Sequence, residues 1–153
     1  MREILFRGKN EKTGKWVFGV PLRCSCRTYI VKDVVWNYDT DGNEHLTAVG
    51  ETQVDPDTVG QFTGLLDKNG NKIFEGDIIQ YCERNLVVWW NYESFQWQAK
   101  SISGYDVITF EVHGCPEWTN IDLGWIASER AIIGRMDTKI IGNKWDNPEL
   151  LNP

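Results

Sequence analysis

Two apolar runs, Phe62 to Leu66 and Ile73 to Ile79, flank Asp67-Lys68-Asn69-Gly70. Asn-Gly between β-forming segments is a strong short-range hairpin signal, because both residues tolerate positive φ and the turn they make twists with its strands. The stretch therefore predicts a tight antiparallel hairpin with Gly70 at positive φ. Glu75-Gly76-Asp77 then punctuates the returning chain before Ile78, Ile79 and Tyr81, which predicts a sharp bend feeding the first long strand of a small barrel.

An earlier segment shares this outline. Arg2 to Gly8 reads as a strand, Lys9 to Gly14 as a turn-rich link, and Lys15 to Val20 as the returning strand. Phe6, Gly8, Lys12, Gly14 and Phe18 line up at constant spacing with Phe62, Gly64, Lys68, Gly70 and Phe74. A duplicated unit and convergence on common turn chemistry account for this equally well. Thr28 to Val31 and Val34 to Trp36 are β-rich, and Asn37 to Glu44 is polar enough to form a long hairpin tip. Val54 to Val59 reads as a short turn or one helical turn, with Asp55 as a cap and Pro56 at the first position.

From Gly76 onward the pattern is a meander. Ile78 to Cys82, Leu86 to Trp90, Phe95 to Ile102 and Val107 to Val112 alternate with Asn, Ser, Gly and Asp. Period-two alternation places Phe95, Trp97 and Ala99 on one face and forces Trp89 and Trp90 to opposite faces. Gly114 to Asn120 is irregular, Ile121 to Ile133 is strand or short helix, and Thr138 to Gly142 reads as a closing strand. Asn147 and Pro148 suit the cap and first position of a terminal helical turn.

The 153 residues fit one domain, or a compact core with an appended subdomain, and bury a core without staples. A formal charge of -6 disfavours a mainly electrostatic grip on nucleic acid. The longest apolar run, Leu86 to Trp90, is far too short for a membrane span, and Met1 to Phe6 has no signal-peptide character. A soluble cytoplasmic protein is expected. Cys24, Cys26, Cys82 and Cys115 have no disulfide-framework spacing, so reduced thiols are expected.

Four blocks together resemble the YopX family of phage and prophage proteins. They are Arg2 to Lys9, Asp55 to Gly70, Ile73 to Ile79 and Ile141 to Leu151; they follow the family's order and span nearly the whole chain. The resemblance implies a β-rich fold containing an SH3-like barrel, occurrence in phage or prophage genomes, and no established biochemical activity. The motif positions look structural, so no catalytic residue carries over. Cys24 to Gly50 lies outside the blocks.

Each candidate site has a plainer reading beside it. Cys24 and Cys26, together with His113 and Cys115, would make a Cys₃His set suited to tetrahedral zinc if the two pairs met. Cysteine is also a small buried hydrophobe, and no metal or other cofactor is expected. Glu75 and Asp77 would serve acid-base work or hold a cation, but Asp after Gly at a strand entry more often closes a turn. Asp55 and Asp57 receive the same reading. Ser128 and Cys115 lack a partner for nucleophilic chemistry, since His45 and His113 stand in no catalytic motif. Most of the eight tryptophans are expected to pack a core.

The expected molecule is thus a single mainly β domain over residues 1–153, with an SH3-like barrel or roll, additional hairpins and little helix. Residues 1–55 supply N-terminal hairpins, closely associated with a barrel core over 56–153. It is expected to work by binding, to self-associate through an edge or an aromatic face, and to have no catalytic residues. A host or phage protein is a further candidate partner. Alternatives are a nucleic-acid module using Arg23, Arg27 and Lys32, and an enzyme of unknown class.

Overall fold

The computed structural model describes residues 3–81, 83–101, 107–109 and 138–151. They are mainly β, in several sheets, with one short 3₁₀ turn. The chain divides into two compact units, Met1–Phe62 and Thr63–Pro153.

In the first unit, β1 (Phe6–Asn10), β2 (Trp16–Cys24), β3 (Arg27–Val31) and the first part of β6 (Thr52–Leu66) form a continuous antiparallel ladder. β1 pairs with β2, β2 with β3, β3 with β6 and β6 with β1, so each of the four strands has a neighbour on both sides. Ile30, Val31, Val54 and Phe62 are the buried apolar residues of this unit. β4 (Asp33–Tyr38) and β5 (Glu44–Val49) make a separate two-stranded sheet. Its tip is built by Asp39, whose Oδ1 accepts N–H bonds from Asp41 at 2.9 Å and Asn43 at 2.8 Å.

Residues 54 to 59 differ from expectation: they form part of the 15-residue strand β6 and not a turn or helical turn. The turn chemistry is present but makes a bulge. Register shifts from Arg7↔Gly60 to Lys9↔Asp55, and Asp55 Oδ1 accepts the Asp57 N–H at 3.0 Å. Buried Thr58 satisfies the irregular backbone, its hydroxyl accepting from Lys9 N–H at 2.8 Å and donating to the Asp55 carbonyl at 2.7 Å. An extra stretch in one strand bends a ladder without ending it.

The second unit contains the end of β6, β7 (Lys72–Phe74), β8 (Asp77–Tyr81), β9 (Arg84–Asn91), β10 (Gln96–Lys100), β11 (Val107–Thr109) and β12 (Lys139–Asn143). Its five-stranded antiparallel sheet runs β11-β10-β9-β8-β12. Ile73, Ile79, Leu86, Val88, Trp97 and Ala99 form the core, with Leu65, Tyr81, Trp90 and Ile140 packed against it. Trp90 meets Trp97 edge to face at 5.0 Å between ring centroids, an arrangement favoured by the ring quadrupoles. Trp89, on the opposite face as expected, lies under Lys100, whose Nζ is 3.9 Å from the ring centroid. Trp97 and Ala99 are buried, but Phe95 is 76% exposed at φ 52, in the turn before β10. The alternation thus begins one residue later than expected.

The central hairpin is as expected. Gly70 has φ 83, and its N–H donates to the Asp67 carbonyl at 2.9 Å while Asp67 N–H donates to Asn71 at 2.8 Å. The earlier hairpin closes from Asn10 N–H to the Lys15 carbonyl at 2.9 Å and also places its last loop glycine, Gly14, at positive φ, 68°. Its loop is one residue longer than that between Asp67 and Asn71. A Cβ on Gly70 would meet open space, so Gly70→Val tests the dihedral alone. It should cost on the order of 1 kcal/mol through the left-handed strain of a β-branched residue. Thermal denaturation is the readout, and an unchanged midpoint would contradict this account.

Candidate functional site

Three of the sequence blocks that carried the resemblance meet in the second unit, where they make structure. Gly76 sits at φ 80. Its N–H donates to the Val88 carbonyl at 2.8 Å, and its own carbonyl accepts Lys144 N–H at 2.9 Å. The Trp145 ring lies against it so closely that a Cβ on Gly76 would overlap the ring. Asp77 is buried and its Oδ2 accepts Phe74 N–H at 2.7 Å, closing the bend. Asn143 holds the other side: its Oδ1 accepts the N–H groups of Trp145 at 3.1 Å and Asp146 at 2.9 Å. Asn147 precedes the 3₁₀ turn Pro148–Leu151, and its carbonyl accepts Leu150 N–H at 3.1 Å.

Asp67 joins this framework from the hairpin. Its Oδ1 accepts N–H bonds from Asn69 at 2.9 Å and Asn71 at 2.8 Å, and its Oδ2 accepts the Asn71 amide at 3.1 Å and Ile140 N–H at 3.2 Å. Burial alone raises the pKa of this carboxyl, but the bonds from Asn71, Ile140 and Asn69 outweigh it and hold the group below its ordinary value. Asp67 thus accepts three backbone N–H bonds and one side-chain amide, and Asp77 accepts a backbone N–H from Phe74.

The remaining candidates among the described residues form no common site. Asp55, Asp57 and His45 are exposed, and no cluster of three metal-ligating side chains occurs among the described residues. Cys24 and Cys26 are free and exposed at the β2–β3 turn, where Ser25 has φ 53. His113, Cys115, Cys82 and Ser128 lie outside the described residues. Arg23, Arg27 and Lys32 are exposed.

The β4–β5 hairpin turns within the expected tip, Asn37 to Glu44, but sequence reasoning missed the exposure of one of its faces. Val34↔Ala48, Trp36↔Leu46 and Tyr38↔Glu44 are direct cross-strand partners and so share one face. On it, Trp36 is 64%, Tyr38 67% and Leu46 58% exposed. The Tyr38 hydroxyl donates to Glu44 Oε1 at 3.1 Å. Trp89 is the off-core ring that strand alternation requires, half-buried beneath Lys100, and Trp36 is the exposed tryptophan among those described. Strand alternation alone is the same for a covered and an uncovered face, so periodicity held no signal for this exposure.

Comparison with known proteins gives a family match over nearly the whole chain: the family model described as YopX protein matches residues 5–152. Among solved structures, the chain is similar to protein EF1440 from Enterococcus faecalis, at 21% identity and a TM-score of 0.47, over 99% of this chain and 100% of that one. No curated protein matches it.

Proposed function

The chain belongs to the YopX family, and from that premise we propose that it is a phage- or prophage-encoded accessory protein that acts by binding, with copies associating through the β4–β5 hairpin. The observation that carries this reading is the uncovered face of Trp36, Tyr38 and Leu46 on a sheet of only two strands. A lone two-stranded hairpin is marginally stable in water, and contiguous exposed apolar side chains mark interaction surfaces. Among the described residues no further strand pairs with the outer edges of β4 and β5, and such edges favour pairing with another chain.

The finer fold reading belongs to the same proposal. The SH3-like barrel expected over residues 56–153 is part of the proposal, and what supports it is the β8–β9–β10–β11 meander with β12 beside β8. Work in the bacterial cytoplasm is part of this reading too; no helix among the described residues is long and apolar enough to cross a membrane. A nucleic-acid module is the second reading, supported by exposed Arg23, Arg27 and Lys32. The net charge of -6 weighs against it.

Light scattering coupled to size exclusion tests the association. A mass above that of one 17.7 kDa chain is expected at micromolar concentration, falling on dilution. Trp36→Asp should move the population to single chains while leaving the β circular dichroism signal in place. A single-chain mass for the unaltered protein at every concentration would overturn the proposal.

A further inference from the structure

Charge is segregated between two consecutive hairpins. From Trp16 to Lys32 the chain carries Arg23, Arg27 and Lys32 and no Asp or Glu; from Asp33 to Glu51 it carries Asp33, Asp39, Asp41, Glu44 and Glu51 and no Lys or Arg. The first segment is the β2–β3 hairpin and the second the β4–β5 hairpin. Each also exposes apolar residues at period two.

On β2 the residues are Phe18, Val20 and Leu22, each about half exposed. Leu22 pairs with Tyr29 and Cys24 with Arg27, which puts the Arg27 side chain on the same face, just beyond the apolar stripe. On β4 the residues are Val34, Trp36 and Tyr38, and Tyr38 pairs with Glu44, which puts a carboxylate at the corresponding end of that stripe. The stripes match in length, each four residue steps or about 13 Å at the usual strand rise. Both run toward their hairpin tip, and there the charges are opposite.

Resting on the self-association reading, we propose that the β4–β5 face of one copy docks on the β2–β3 face of a second copy, with Glu44 of the first meeting Arg27 of the second. Charge complementarity selects this occupant. An acidic hairpin repels nucleic acid and anionic surfaces, while among the described residues the chain's own β2–β3 hairpin offers an apolar stripe of equal length with the opposite charge at its tip. Within one copy both faces are exposed at once, so the chain does not satisfy itself. Used reciprocally, the contact occurs twice and closes a dimer.

Charge exchange tests the docking. Arg27→Glu and Glu44→Arg replace exposed side chains, and circular dichroism checks that each variant is folded. Each single variant sets like charges against each other and should weaken self-association about tenfold or more, measured by sedimentation or light scattering across a dilution series. The double variant Arg27→Glu/Glu44→Arg should recover the original association. An equimolar mixture of the two single variants should recover it too, because both contacts of a mixed dimer then pair opposite charges. Single variants that associate as strongly as the unaltered protein, or a folded double variant that stays weak, would overturn this docking and leave self-association standing. An unaltered protein that remains a single chain would overturn both.

Discussion

Gly76→Ala should lower the stability of the fold by about 2–5 kcal/mol, a large share of what a domain of this size has to spare. Two independent costs add at that position. The backbone is at φ 80, where any side chain with a Cβ is strained by about 1–2 kcal/mol. The new methyl would also overlap the Trp145 ring, and forcing atoms into an occupied site costs about 1–3 kcal/mol more. Gly76 cannot back away freely, because its N–H is tied to Val88 and its carbonyl to Lys144. Chemical denaturation gives the loss directly. Combining Gly76→Ala with Trp145→Ala removes the overlap but keeps the dihedral, so the double variant should lose less than the two single variants together. Strict additivity would show that the ring and the glycine are not in contact.

Asp67→Ala should cost about 2–4 kcal/mol, because it leaves the N–H groups of Asn69, Asn71 and Ile140 without their charged acceptor. The same carboxylate makes stability depend on acid. Its folded pKa lies below its ordinary, unfolded value, so its contribution is fully present above that ordinary value and is lost as pH falls through the lower folded one. Denaturation midpoints measured downward from neutral pH should therefore drop in the acid range for the unaltered protein. Asp67→Asn should start lower and fall less over that range. An acid profile identical in the two proteins would remove Asp67 from this role.

The hairpin around Gly70 was legible because its cause is local: two residues that accept positive φ stand between two β-forming runs. Asp77 as a turn closer was legible for the same reason, since its acceptor role is completed by Phe74 three residues away. The Gly76 and Trp145 contact was not, because nothing in either neighbourhood specifies the other. At Val54 to Val59 the local chemistry was read correctly and its setting was not. Asp-Pro-Asp forms an Asx-type bend both in a free turn and in a strand bulge, and only pairing with β1 and β3 distinguishes them. Phe95 shows the same limit in miniature, as alternation does not say which residue ends the turn. For the β4–β5 face, periodicity predicts two faces and is silent on which of them another surface covers.

The ladder that joins β1 to β6 sets a kinetic order on the first unit. Phe6 finds its partner Gln61 only after every intervening strand has been made, so this closure has a high sequence separation, and such contacts slow folding because loop entropy is lost before they form. A ribosome releasing this chain would expose β1, β2 and β3 as a sheet with two open edges until residues 52 to 61 emerge. During that interval the nascent segment is at its most prone to mispairing. The arrival of β6 removes both edges in one step, which makes its emergence the event that commits the unit to its native pairing.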